Sequence, residues 1–322
     1  MISALQSLRF VFVMMIFMSH FSYGGLMPFD AGGDCGVAFF FLLSGFVLTL
    51  GYGPKIEQGT FDFGSFMRRR LLKVLPLHWL TLLAFLLLSH AAIGWPVVLN
   101  ALLLQSWVPL REVYFSCNAV SWFLSCMLFC YMAFPWLYRH ASLTLLALVL
   151  ALCTVAYAVV PYDRVTDVLY VSPIVRSADF FMGIMLARLF RSRRCPAPPP
   201  WAELLVVALL VAAILAYPHA DAKWRNAPLF WVALIPLIFV FAHERGWLSR
   251  MLGSRPMQML GALSMPVFLL HPMVVSAVLR RLPTLHYTVA LAVCLAVVLT
   301  VSWGIDRFLL RHVDRLCSKQ AI

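Results

Sequence analysis

The feature that most constrains this chain is a succession of ten apolar runs of membrane-spanning character. They lie near 5–22, 36–52, 74–93, 119–138, 143–161, 168–189, 201–217, 228–243, 257–279 and 286–308. A helix needs about 20 mostly apolar residues to cross the hydrocarbon core. Composition agrees: 63% of the 322 residues are hydrophobic and 12% are charged, against about 25% charged in an average soluble domain. One core of this size cannot hide that much apolar surface. A soluble globular enzyme is thereby excluded, and so is a disordered chain, which needs low hydrophobicity. The expected fold is all-α: a polytopic membrane helical bundle of about ten transmembrane helices, in a single domain over 1–322 with no repeat and no fused soluble domain.

An eleventh stretch, 94–110, holds Pro96, Asn100, Gln105 and Pro109. It is short and polar for a span, and the basic residues decide its fate. If it does not cross and the N-terminus is cytoplasmic, cytoplasmic segments carry seventeen Lys and Arg and the opposite side six. If it does cross, every later loop changes sides and the tally becomes twelve against eleven. The positive-inside rule therefore predicts ten spans, both termini in the cytoplasm, and 94–110 as a re-entrant or interfacial segment. The net charge of +12 is accounted for by those loops and does not call for nucleic acid.

Several common functional signals are absent. The eight cysteines form no C-x-x-C pair, so no zinc or redox motif is indicated and no metal site is expected. No P-loop, H-E-x-x-H or Rossmann glycine fingerprint occurs. Residues 1–23 lack an early positive charge and an A-x-A site, so they do not read as a signal peptide. Ten spans put Cys35 and Cys117 outside, open to an impermeant thiol reagent or bonded to each other, and Cys195 and Cys317 in the cytoplasm.

Charges inside spans are costly, which makes them the default functional candidates. Arg9 and His20 are eleven residues apart in span 1. At 100° per residue they share one helix face, roughly 16 Å apart along the axis. The pair reads either as a permanent cation and a titratable base facing a site, or as a snorkelling Arg and an interfacial His. Arg176 and Asp179 in span 6 are three apart and can pair with each other. His271 in span 9 fits either a site or a bond to a neighbouring helix. The run Arg68-Arg69-Arg70-Leu71-Leu72-Lys73 precedes span 3. It reads as an interfacial helix on anionic lipid or as a phosphate cradle of guanidinium forks.

These residues fall in an ordered set that resembles the acyltransferase 3 family of integral membrane acyltransferases. The family's Arg-x10-His opening is similar to Arg9…His20. Its Gly-Val-x-x-Phe-Phe-x-x-Ser-Gly-Phe block resembles Gly36–Phe46, which includes Ser44 and Gly45. Its basic stretch running into Ile-x-Pro resembles Arg69–Pro76, with Lys73 where the second Arg of R-x-x-R stands. Ser121-Trp122-Phe123-Leu124-Ser125, Arg176…Asp179-Phe180…Gly183 and Ser264…His271 resemble later landmarks. The chain departs from common members at Ala38, Met127 and Met265.

The resemblance implies transfer of an acyl group, most often acetyl, from cytoplasmic acyl-CoA to a hydroxyl of a cell-surface glycan or lipid-linked sugar. It implies a bacterial inner-membrane location and membrane lipids as neighbours. It makes His20 and Arg9 the catalytic candidates, with Arg69, Arg70 and Lys73 binding acyl-CoA. Ser44, Arg176, Asp179 and His271 become candidate substrate or transition-state contacts. Acyl-CoA enters as donor substrate, with no bound cofactor. Because the family's fused extracytoplasmic hydrolase-like domain has no counterpart here, any such partner is expected to be a separate protein. A transporter or flippase of a glycan or lipid intermediate, without acyl-transfer chemistry, is the alternative function.

Overall fold

The computed structural model describes residues 2–21, 30–89 and 92–313. Those residues form helices and connecting loops, with no β-strand among them. The helices are α1 (Ser3–His20), α2 (Ala31–Glu57), α3 (Phe63–Ser89), α4 (Trp95–Ala101), α5 (Arg111–Tyr114), α6 (Trp122–Arg139), α7 (Leu143–Val159), α8 (Pro173–Ser192), α9 (Ala202–Ala216), α10 (Pro228–Ala242), α11 (Trp247–Leu252), α12 (Arg255–Ala262), α13 (Ser264–Arg281) and α14 (Tyr287–Ile305). Each of the ten apolar runs is helical over most of its described residues. Six helices are long and apolar enough to cross a bilayer, and eight when each of two bent pairs counts as one span. The bent pairs are Tyr162–Tyr170 with α8, at 54°, and α12 with α13, at 55°. At 17 and 15 residues, α7 and α10 fall short of the ~20 that a full crossing takes. The chain is a multi-pass helical membrane protein.

The outer surface is what a lipid-facing bundle requires. Leu87, Leu143, Val159, Leu215 and Val232 are each more than 60% exposed, so burial in protein cannot be what selects them; lipid contact is. Inside, α2 packs along α8 and α1, and α1 is also flanked by α10, α12 and α13. Two glycines fix the α2–α8 crossing. A Cβ on Gly45 would overlap the Phe180 carbonyl, and one on Gly183 would overlap the Leu42 carbonyl. The contact is reciprocal, and no side chain larger than hydrogen lets the two backbones approach so closely.

Two expectations change here. The basic run is no separate interfacial helix. Arg68–Lys73 sit inside α3, continuous with the span that follows. Cys35 and Cys117 carry free thiols, and Cys35 is buried, so packing shields it from an impermeant reagent. Arg315, Cys317 and Lys319 lie outside the described residues.

The stretch 94–110 does not span. It forms the short helix α4 and a 3₁₀ turn at Gln105–Trp107. Asn100 is its hub. The Asn100 carbonyl accepts from His78 Nε2 at 2.8 Å, and Nδ2 donates to the Ser116 carbonyl at 2.9 Å and to Ser121 Oγ at 3.1 Å. Gln105 Nε2 also reaches Ser121 Oγ, at 3.2 Å. Irregular backbone at membrane depth persists only where protein satisfies its polar groups, and these bonds engage the Asn100 and Ser116 carbonyls, while Asn100 Oδ1, Gln105 Oε1 and His78 Nδ1 are buried without a partner among the described residues.

Candidate active site

Helix α1 carries both ends of the site. Arg9 is half-buried and lines a cavity of about 610 Å³, together with Gln6, Phe40, Ser44, Arg70, Tyr131 and Glu244. A narrower waist of about 90 Å³ continues from it. The waist shares Arg9, Phe40, Ser44 and Tyr131 with the mouth and adds Phe123, Ser264 and Phe268. Phe268 in turn lines a third cavity, of about 180 Å³, which contains His20, Trp122 and Tyr170. Shared walls therefore arrange the three in series along α1, from Arg9 to His20.

At the mouth the Arg70 guanidinium sits among three rings. It lies 5.3 Å from the Tyr52 centroid, 5.6 Å from Phe66 and 6.0 Å from Tyr131. Its Nη2 donates to Tyr52 Oη at 3.1 Å. The rings hold the cation by their quadrupoles while leaving most guanidinium donors for another acceptor. Arg9 has a long 3.5 Å contact from Nη1 to Gln6 Oε1 and no ion pair among the described residues.

At the waist the polar exception is Ser264. Its Oγ is buried and has no hydrogen-bond partner among the described residues. The other walls added there are apolar or aromatic, so this hydroxyl joins Arg9, Ser44 and Tyr131 as the polar groups of the waist.

At the far end, two imidazoles meet. The His20 and His271 rings are 5.0 Å apart at 71°. His20 Nδ1 lies 2.9 Å from the Ile16 carbonyl. A carbonyl only accepts, so Nδ1 carries the proton and neutral His20 leaves a lone pair on Nε2. His271 Nδ1 makes the same bond to the Val267 carbonyl, at 3.1 Å, and its buried Nε2 has no partner among the described residues. Both rings are thereby held in the tautomer that makes Nε2 a proton acceptor.

The other candidates divide. Ser44 lines the mouth and waist. Arg69 and Lys73 are not among the residues lining the mouth; they sit on neighbouring faces of α3, with Lys73 exposed. Arg176 and Asp179 are fully buried, paired at 3.2 Å, and line none of the three cavities. Asp179 Oδ1 accepts from Trp231 Nε1 at 2.5 Å, and the Arg176 guanidinium lies over Phe41 at 5.8 Å. Sequence reasoning missed Tyr131, and it passed over Phe123 and Phe268 as members of motifs without giving them a role. Their only signal was position, since each lies on a helix that a motif had already marked.

No solved structure matches the chain. Acyltransferase MdmB of Streptomyces mycarofaciens is 30% identical over 273 residues, which covers 76% of this chain and 68% of that protein. The profile of the acyltransferase 3 domain, described as an acyltransferase domain, matches residues 2–307. That match takes in both the Arg9 mouth and the His20–His271 pair, and the chain belongs to the acyltransferase 3 family.

Proposed function

We propose that this protein moves an acyl group, acetyl in the first instance, from cytoplasmic acyl-CoA to a hydroxyl of a cell-surface glycan or lipid-linked sugar. In this reading it works in a bacterial inner membrane with both termini cytoplasmic, and acyl-CoA is its donor substrate. One observation carries the reading: three cavities with shared walls lie along α1 between the cationic mouth at Arg9 and the chamber that holds His20.

The length of that span suits the donor. Arg9 and His20 are separated by about 16 Å of helix rise. The pantetheine arm has about fourteen bonds from phosphorus to the thioester carbonyl carbon. At the extended-chain rise of ~3.3–3.6 Å per three bonds it reaches about 15–17 Å. A phosphate at Arg9 and Arg70 thus brings the thioester to His20. Guanidinium forks suit phosphate oxygens. Ser264, with its unpaired hydroxyl in the waist, is placed to bond an amide of the arm. Phe40, Phe123 and Phe268 keep water from the thioester.

At the far end His20 Nε2 takes the proton of the acceptor hydroxyl as its oxygen attacks the thioester carbonyl. The C–S bond then breaks, and the coenzyme A thiolate leaves and takes up a proton. His271 Nε2, unpartnered beside it, hydrogen-bonds the acceptor or the protonated His20.

The test uses purified protein in detergent with acetyl-CoA. We expect consumption of acetyl-CoA, and Arg70→Ala should raise the KM for acetyl-CoA without a matching change for the acceptor. Loss of one charge-assisted bond, about 1.5–3 kcal/mol, corresponds to an increase of roughly 10–150-fold. No consumption by the wild-type protein with a range of sugar acceptors would favour a flippase, and an unchanged KM would return Arg70 to a topology signal.

A further inference from the structure

The donor path leaves one part of the mouth without a role. The walls there carry a single acidic side chain among the described residues, Glu244, in a cavity whose other charged groups are Arg9 and Arg70. A carboxylate repels the phosphates that those guanidinium groups suit, so its presence has another cause. Glu244 stands just beyond the end of α10, with φ +49°. Glycine or asparagine adopts that left-handed conformation more readily at a helix end, so backbone preference does not explain the glutamate. Helix capping explains one of its oxygens. Oε1 accepts from the Ala4 backbone N–H at 2.9 Å, in the first turn of α1, where a negative charge suits the helix dipole. The second oxygen has no hydrogen bond or ion pair among the described residues.

Gln6 lines the same cavity, one turn before Arg9. Arg9 Nη1 approaches Gln6 Oε1 at 3.5 Å, and that long contact turns the amide so that Nε2 is its free end. The mouth thus carries a hydrogen-bond acceptor, Glu244 Oε2, and a hydrogen-bond donor, Gln6 Nε2. The bond to Ala4 holds Glu244 at a level five residues before Arg9, about 7.5 Å along α1 on the side away from His20. With the diphosphate at Arg9 and Arg70 and the pantetheine arm running towards His20, the nucleoside leaves in this opposite direction. Its exocyclic amine lies about ten bonds from the nearer phosphorus, a reach of at most about 11–12 Å, which covers that distance. Adenine presents the amine, a donor, beside a ring nitrogen that accepts.

We propose that Glu244 and Gln6 select the nucleobase of the donor: Glu244 Oε2 accepts from the exocyclic amine of a 6-aminopurine, and Gln6 Nε2 donates to the neighbouring ring nitrogen. This selection rests on the acyl-CoA donor reading above and adds to it the residues that distinguish one base from another.

The experiment measures Kd for coenzyme A and for its hypoxanthine analogue, made by deamination, on the purified protein in detergent. The wild-type protein should bind coenzyme A at least about tenfold more tightly, because a site that hydrogen-bonds an amine rejects the analogue lacking it. Glu244→Gln keeps an acceptor for the Ala4 N–H and turns the free end into a donor, which suits the hypoxanthine carbonyl. The preference should then disappear. Gln6→Glu/Glu244→Gln preserves net charge and should reverse the preference in favour of hypoxanthine. A role confined to capping α1 would leave the ratio of the two constants unmoved in every variant. Equal binding of both ligands by the wild-type protein, or an unchanged ratio in Glu244→Gln, overturns base selection and leaves acyl-CoA standing as donor. Absence of coenzyme A binding altogether removes the donor reading, and base selection with it.

Discussion

Arg9 and Arg176 both lie inside apolar helices, and they live in opposite ways. Arg176 is fully buried, paired with Asp179 at 3.2 Å and surrounded by packed aromatic groups. Arg9 lines two connected cavities and has no carboxylate partner among the described residues. A buried charge must be compensated. Arg176 finds its compensation within the fold, while Arg9 faces open space where a ligand can provide it. A charge inside a membrane protein is thus informative only when its partner is known: one of these arginines is paired within its own helix, and the other faces a cavity.

The largest effect should come from the cavity side. We predict that His20→Ala lowers acyl transfer by about 10²–10⁴-fold, the range for losing a general base, with the melting temperature unchanged because His20 is exposed at the end of α1. Full activity in that variant would break the comparison, since the Arg9–His20 face would then carry no chemistry.

On the packed side, Asp179→Asn leaves Arg176 buried and uncompensated. Removing one partner of a buried pair costs about 3–5 kcal/mol, so we predict a large drop in melting temperature in detergent. Arg176→Met/Asp179→Leu should recover most of it, because apolar replacement of a whole buried pair is often neutral or better. An Asp179→Asn protein that melts normally but is inactive would move Arg176 and Asp179 into the chemistry.

The smallest effect sharpens the same contrast. Gly183→Ala forces a methyl against the Leu42 carbonyl and should destabilise by about 1–3 kcal/mol, as overpacking does. Thermal melting reads it directly. A methyl accommodated without loss would show that the α2–α8 crossing is looser than its backbone contact implies.

Much of this was legible in the sequence, for reasons that differ from place to place. Hydropathy located the long helices, though not the short α5 and α11, because a bilayer tests length and apolarity alone. Helical period alone put Arg9 and His20 on one face, and three-residue spacing foretold the Arg176–Asp179 pair. The polarity of Asn100 and Gln105 marked 94–110 as no ordinary span, yet their partners His78 and Ser121 lie on other segments and drew no notice. Tyr131, Phe123 and Phe268 were given no role because aromatic side chains are ordinary in so apolar a chain. What makes them part of a passage is their convergence from helices far apart in sequence, which no local pattern records. Glu244 escaped for the same reason: its partner is the Ala4 N–H, 240 positions away.

The bond from Ser7 Oγ to the Leu252 carbonyl, at 2.6 Å, closes a sequence separation of 245 residues, and α13 then brings His271 against His20. The re-entrant segment differs, because its bonds around Asn100 join residues only 16–22 apart. During synthesis that polar knot can close as soon as α6 emerges. The passage beside α1 cannot. At about 5–20 residues per second, α1 sits in the bilayer for on the order of tens of seconds before the helices that cover it are made. Over that interval the mouth around Arg9 already has its walls from α2, α3 and α6, while the waist lacks Ser264 and Phe268 of α13. Helix α1 is therefore among the last to reach its final surroundings, and the waist closes only when α13 docks.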